Sequence, residues 1–349
     1  MPEPAPIERA RVVYRWDLDK TYLRTDFDTV RDLVRTAFEP PARKRTVPGA
    51  GALLRELRQT GPAAVFILSG SPEQMRRVLE AKLRLDGIRW DAFTLKPSLE
   101  NLLRGRLRFL RDQVSYKLTA LLESRTRAAP DTREVLFGDD AEADAFIYSL
   151  YADLCAGRVD NETLMEVLRR ARVYEEDIPH IVRVAARVPR SDAVRRIHIH
   201  LDRMSMPHQF DELGPRVVPF YNYFQPALVL LEGGFLDADA VLRVGAEIVI
   251  GKGFNPDALA ASFADLARRR LIGPRSAGAL VDAVAAMDTR GLGQAAEALR
   301  RFARAVERGA PDLDEPVPVG VPPIDYAALF ARDRERAHAG KRRAMWRSG

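Results

Sequence analysis

The chain is short of several things, and each shortage closes off a class of protein. One cysteine, Cys155, stands among 349 residues, so an internal disulfide is excluded and a reducing compartment fits; the residue reads as a small buried helix position. Lysine is scarce as well: seven lysines in a total of 55 Lys and Arg leave 48 arginines, which makes a lysine in an unfavourable place worth a hypothesis. No apolar run approaches the roughly 20 residues of a membrane-spanning helix, and Met1 to Pro6 shows no basic segment leading into an apolar core. A soluble, cytoplasmic protein is expected. Neither charge dominates: 49 Asp and Glu leave a net +6 and a sequence pI near 9.5. That mild excess is spread along the chain except at its end, so nucleic acid is not the expected partner. At 46% hydrophobic, the chain can bury one large core or two modest ones.

What is present is organised around Val12-Val13-Tyr14-Arg15-Trp16-Asp17-Leu18-Asp19-Lys20-Thr21. A mostly apolar, β-prone run delivers Asp17 and Asp19 to its carboxyl end, where ligands bind in open parallel sheets. Two carboxylates where a strand frays can divide the labour of phosphoryl transfer, one attacking and the other moving a proton, with a cation to neutralise charge. Taken alone, such a pair is also a common solvated turn. Ala63 to Leu68 is a second continuous apolar run of strand length and ends in Ser69-Gly70-Ser71-Pro72-Glu73-Gln74. Ser71 can cap a helix with Pro72 at its first position, so a helix N-terminus with free amides is expected beside the Ser69 hydroxyl, a place suited to phosphate; an ordinary strand-to-helix turn is the plainer account.

Two further pieces follow in order. Ser115 to Leu122 reads as the start of a helix with Lys117 in its first turn, opposed by the helix dipole and free to reach an acid cluster as a point charge. Glu134 to Phe137 is a short strand running into Gly138-Asp139-Asp140, with Asp144 one helical turn on, placed to orient Lys117 or a metal-bound water. Mg²⁺ favours one or two protein carboxylates plus phosphate oxygens, and Asp17 and Asp139 from neighbouring strand ends suffice.

The order Asp17-x-Asp19-x-Thr21, Ser69, Lys117 and Gly138-Asp139 with Asp144 resembles the haloacid dehalogenase (HAD) superfamily. Val47-Pro48-Gly49, Leu68-Ser69-Gly70-Ser71-Pro72, Lys117 with Leu121-Leu122, and Phe137-Gly138-Asp139 with Ile147-Tyr148 resemble more closely the catalytic domain of the actin-patch phosphatidate phosphatases, relatives of the lipins. The resemblance covers about residues 11–155. It implies an α/β fold, a HAD-like Rossmannoid parallel sheet flanked by helices, and Mg²⁺-dependent dephosphorylation through an aspartyl-phosphate. It makes Asp17 the nucleophile and Asp19 the general acid/base, with Asp17, Asp19 and Asp139 at the metal, Thr21, Ser69, Gly70 and Lys117 at the phosphate, and Asp140 and Asp144 in support. The implied partner is a phosphomonoester, a phosphatidate-like lipid at a membrane surface being the first choice. Lys20, Glu73 and Asp140 depart from the family pattern without removing a catalytic atom, and they put the substrate in question. A non-catalytic HAD-like sensor of anionic lipid and a phosphatase of soluble or nucleic-acid-end phosphates are the alternatives.

The rest of the chain is read more coarsely. A catalytic domain over 1–235 is expected to carry a helical insertion at about 156–192, then a fifth strand at Arg195 to Leu201 and a sixth within Arg216 to Tyr223. His198, His200 and His208 have no nearby Cys or acidic partner and read as packing or surface residues rather than a zinc site. An additional C-terminal α-helical region spans 236–310, either a docking or dimerisation module or, more plainly, a layer packed on the catalytic domain. Residues 311–349 read as a proline-rich linker and a basic tail, Arg332 to Arg347. Arg43-Lys44-Arg45 and the basic, apolar mixture at 100–111 are solvated faces or lipid contacts.

Overall fold

The computed structural model describes residues 6–24, 40–96, 106–251, 255, 257–288 and 292–329. The helix expected at 30–38, the basic mixture as far as residue 105 and the tail at 332–347 lie outside the described residues.

Six strands form one sheet: β1 Val12–Asp17, β2 Ala63–Pro72, β3 Ala92–Lys96, β4 Arg133–Asp139, β5 Val194–His200 and β6 Val217–Phe220. Their order is β3-β2-β1-β4-β5-β6 and every pairing is parallel, so the architecture is α/β and Rossmann-like. The strands are buried along most of their length, β2 through a continuous apolar run from Ala63 to Leu68, because helices cover both faces, which parallel crossovers require. Two successive crossovers build outward from β1 to β3, and the chain then returns to place β4 on the other flank of β1. The order therefore reverses between β1 and β4, and in open α/β sheets the ligand cleft lies at the carboxyl ends of such a reversal.

Alternation along β1 sorts its side chains. Tyr14 and Trp16 join the core formed with the helix Ala50–Gln59 and the C-terminal helices, Trp16 stacking on Phe137 with ring centroids 3.9 Å apart. Arg15 and Asp17 take the opposite face, covered by the helices Arg106–Arg125 and Asp144–Ala156, whose core includes Leu118, Leu136 and Ile147. His198 continues the aromatic stack against Phe137, and burial pushes its pKa down to about 3, so it is a neutral packing residue. Among the described residues no metal cluster includes a histidine. Cys155 is buried on the helix Asp144–Ala156.

The region at 156–192 holds two helices, Asn161–Arg170 and Ile178–Arg187, before β5. After β6 the helix Phe224–Glu232 leads to four more, Ala238–Ile250, Ala258–Arg268, Pro274–Ala286 and Gln294–Gly309. They pack as a layer on the sheet: Phe224, Val244, Leu280 and Phe302 belong to the same core as Trp16 and Phe137. The proline-rich segment runs back across the protein, Val317 N–H donating to the Arg270 carbonyl, until the buried Tyr326 hydroxyl donates to Asp153 at 2.6 Å.

Below the cleft, Arg15 forms a bidentate pair with Glu134 on the adjacent strand at 2.7 and 2.8 Å, with the Tyr151 hydroxyl and Ser124 completing the network. Burial alone would raise the Glu134 carboxyl, but Arg15 and Arg125 outweigh it and hold it below the usual carboxylate range. Removing one partner of such a pair strands the other charge. Glu134→Gln is therefore expected to destabilise the protein by roughly 3–5 kcal/mol, read as a lower urea midpoint, and an unchanged midpoint would show that Arg15 finds water instead.

Candidate active site

Three strand ends meet at the cleft. Asp17 closes β1, and the chain then turns sharply through Lys20, which takes a left-handed φ of 59°. The two acids before it take different partners. Asp19 leaves the strand line and its Oδ2 accepts hydrogen bonds from the Ser69 and Ser71 hydroxyls, each at 2.8 Å, while Oδ1 is buried without a partner. Thr21 follows with its hydroxyl buried and unpartnered and its carbonyl accepting from the Tyr223 hydroxyl at 2.6 Å. His200 at the end of β5 props the turn, its Nδ1–H donating to the Lys20 carbonyl at 2.8 Å.

The end of β2 differs from the sequence expectation. The strand continues through Pro72, which pairs with Lys96, a short 3₁₀ turn occupies Glu73–Met75, and the helix begins only at Arg76. Ser71 is thus not a helix cap, and the expected helix N-terminus beside Ser69 does not form. Pairing with β3 holds these residues extended, and the Ser71 hydroxyl is drawn to Asp19, so a tertiary contact overrides the local capping signal. Gly70 belongs to this bend because a Cβ there would lie 2.5 Å from the Gln113 side-chain nitrogen.

Lys117 sits in the middle of the helix Arg106–Arg125, not in its first turn; the helix starts earlier because the basic, apolar mixture from residue 106 onward is helical. Its ammonium is fully buried and donates to Asp17 Oδ1 at 2.9 Å, Glu142 at 2.7 Å and Asp144 Oδ1 at 2.5 Å. Burial works against the charged form, but Asp144, Asp17 and Glu142 more than offset it and the pKa stays well above that of an ordinary lysine.

At the end of β4, Asp139 Oδ1 accepts the backbone N–H groups of Ala141 and Glu142 at 2.6 and 3.1 Å, folding the turn that starts the helix Asp144–Ala156. The remaining oxygen, Oδ2, is buried without a partner, as is Asp17 Oδ2. Gly138 lets Asp144 close over this turn, since a Cβ at Gly138 would come within 2.5 Å of Asp144 Oδ2. Asp140 points elsewhere, accepting the backbone N–H groups of Arg203 and Ser205 at 2.8 and 3.0 Å.

The structure gathers Asp17, Asp139 and Asp144, with one carboxylate oxygen of each within 4.8 Å of the others. Asp144 enters this trio, whereas the Asp19 carboxylate stays on the two serines. Burial and neighbouring acids push Asp17 and Asp139 well above the usual carboxylate range, and Asp144 is raised to about 6, burial again the largest cause. Carboxylates outnumber the one ammonium, so the cluster calls for protons or a cation.

Residues 16–162 match the family profile of the phosphatidate phosphatase APP1 catalytic domain. The resemblance read from the motifs is borne out over that span, which holds every candidate from Asp17 to Asp144. No curated protein and no solved structure matches the chain. The match to the phosphatidate phosphatase domain supports a phosphohydrolase, and the buried acid cluster is compatible with a divalent metal. No helix among the described residues is long and apolar enough to cross a membrane.

Glu142, Gln113 and Tyr116 at the cleft escape motif reading, and Ser71, expected as a helix cap, serves Asp19 instead. Ser71 and Glu142 are bound to Asp19 and Lys117 as described. Gln113 and Tyr116 carry unpartnered buried oxygens. The signal for Gln113 is helical spacing, because it lies four residues before Lys117 and so shares its face; Tyr116, directly before Lys117, lies three residues from Gln113.

Proposed function

We propose that the chain is a Mg²⁺-dependent phosphohydrolase of the haloacid dehalogenase type that cleaves a phosphomonoester through an aspartyl-phosphate, with a phosphatidate-like lipid as substrate. One observation carries this reading: Asp17, Asp139 and Asp144 gather beside Lys117 at the reversal of strand order, with one oxygen of Asp17 and one of Asp139 left unpartnered. A donor set made only of carboxylate oxygens suits a hard cation. Asp17 and Asp139 would hold Mg²⁺, which when bound neutralises charge on the phosphoryl group.

The chain's own residues account for the rest. Asp17 attacks phosphorus, the ester P–O bond breaks, and Asp19 gives its proton to the departing alcohol oxygen. Asp19, now a carboxylate, takes a proton from water; the water oxygen bonds to phosphorus, the bond to Asp17 breaks, and inorganic phosphate leaves. Burial lifts Asp19 above the usual carboxylate range against the hydrogen bonds of Ser71 and Ser69, which favours a form with a proton to give. Ser69 and Ser71 fix one oxygen of Asp19 and leave the other for the proton. Lys117 and the Thr21 hydroxyl are placed for the phosphoryl oxygens, with Gly70 allowing close approach.

Purified protein with Mg²⁺ should release inorganic phosphate from phosphatidate vesicles faster than from soluble phosphomonoesters, and chelation should abolish both. Absence of release from every phosphomonoester tried would sink the reading.

Metal binding should also be visible in stability. Carboxyls with raised folded pKa values bind more protons folded than unfolded, so without metal the stability they contribute falls as pH rises from about 4 through their folded values. Mg²⁺ takes over from those protons. The gain in melting temperature on adding Mg²⁺ is therefore expected to be larger at about pH 7.5 than at about pH 5. At a hundredfold excess over Kd it corresponds to about 2.7 kcal/mol. A gain that does not change with pH would separate the metal from these acids.

A further inference from the structure

Seven large hydrophobic side chains are strongly exposed among the described residues, and four of them stand at one end of the protein. Met204 (68% exposed) and Met206 (58%) lie on the loop that leaves β5, Tyr221 (40%) directly follows β6, and Ile250 (65%) ends the helix Ala238–Ile250. Leu201 N–H donates to the Phe220 carbonyl and ties the exits of β5 and β6 together. Ile248 packs at Gly49 beside Tyr223, whose hydroxyl reaches the Thr21 carbonyl, so the end of that helix arrives at the same place. This is the end of the sheet at which Asp17, Asp19 and Asp139 are gathered. Leu85, at the far end of its helix, and Val317 and Val319, on the extended C-terminal segment, lie elsewhere.

The methionine loop is held in place. Asp140 accepts backbone N–H groups from Arg203 and Ser205, and Met204 between them takes a left-handed φ of 56°, unusual for a long side chain. An apolar pair presented by a fixed loop beside a cleft marks an interaction surface. Charge says which kind. Arg24, Arg45 and Arg203 are exposed on the segments around it, and Asp202, Asp211 and Glu212 are the exposed acids of the connection from β5 to β6, the last two lying beyond the methionines. Arg24 N–H donates to the Arg45 carbonyl, and the Lys20 carbonyl accepts from His200, so these basic residues belong to the same rim. Apolar tips framed by arginines complement an interface where acyl chains lie beneath anionic phosphates.

We propose that this rim is a docking surface for a bilayer containing anionic phospholipid, with Met204 and Met206 entering the headgroup layer and Arg24, Arg45 and Arg203 facing lipid phosphates. The choice of lipid as occupant rests in part on the phosphohydrolase reading; the surface itself does not. Docking here turns the end of the sheet that carries Asp17 toward the bilayer.

The test uses the full chain with sedimented vesicles of phosphatidylcholine alone or mixed with phosphatidylglycerol, an anionic lipid with no monoester to hydrolyse. Turnover of a soluble aryl phosphate is followed on the same preparations. Wild type should bind the mixed vesicles. Met204→Ser with Met206→Ser should weaken that binding about tenfold or more, and Arg24→Glu with Arg45→Glu should weaken it and flatten its salt dependence. Both variants should keep soluble turnover, which also shows that they fold. Failure of wild type to bind the mixed vesicles, or equal binding by the methionine variant, would overturn the proposal. So would a wild-type dimer in solution that the methionine variant splits, because that assigns the patch to a second copy. If wild type binds vesicles yet hydrolyses no phosphomonoester, the surface stands and the phosphohydrolase reading falls.

Discussion

Asp17→Asn protein is expected to form no covalent phosphoenzyme, and its turnover should fall by on the order of 10⁴-fold or more, because the attacking carboxylate oxygen is gone. The substitution also removes charge from one of the two groups proposed to hold the cation. The fold should survive it. Asn has the same shape, and Lys117 keeps Glu142 and Asp144 as partners. Since Asp17 lies buried in a cluster where acids exceed the one ammonium, the metal-free variant should melt no lower than its parent near neutral pH, and its gain from Mg²⁺ should shrink. A variant that melts much lower would make Asp17 a structural anchor for Lys117 before anything else.

Asp19→Asn should fail differently. The nucleophile remains, but the group that protonates the departing alcohol and later activates water is lost, so both half-reactions should slow by roughly 10²–10⁴-fold. Ser69 and Ser71 can still bond an amide oxygen, so the neighbourhood should hold. With an activated aryl phosphate, whose leaving group needs no proton, attack by Asp17 should partly recover while hydrolysis stays slow. Phosphoenzyme should then accumulate. Equal slowing of both steps with the aryl ester would deny Asp19 the acid's part.

Much of this was legible in the chain because it is written locally. A strand covered on both faces is mostly apolar, so β1, β2 and β4 stand out, and the acids that end β1 and β4 mark the cleft. Lys117 was conspicuous because lysine is rare here. What was not legible depends on pairings far apart in sequence. The register Trp16↔Phe137 across β1 and β4 is what brings Arg15 to Glu134, 119 residues away. Ser71-Pro72 has the local chemistry of a helix start, yet the pairing Pro72↔Lys96 keeps it extended and gives its hydroxyl to Asp19. The exchange of Asp144 for Asp19 in the close carboxylate trio follows from the Ser69 and Ser71 hydroxyls, which hold the Asp19 carboxylate from 50 and 52 residues away. The methionine loop is fixed by Asp140, 63 and 65 residues before its partners, and so could not be seen as a rim.

The most direct test of the central claim is mass spectrometry of Asp19→Asn protein quenched in acid during turnover of an aryl phosphate with Mg²⁺. The predicted result is a phosphoryl group on the peptide bearing Asp17, absent when Asp17→Asn is added. A phosphoryl group on another residue, or full turnover by either single variant, would contradict the account.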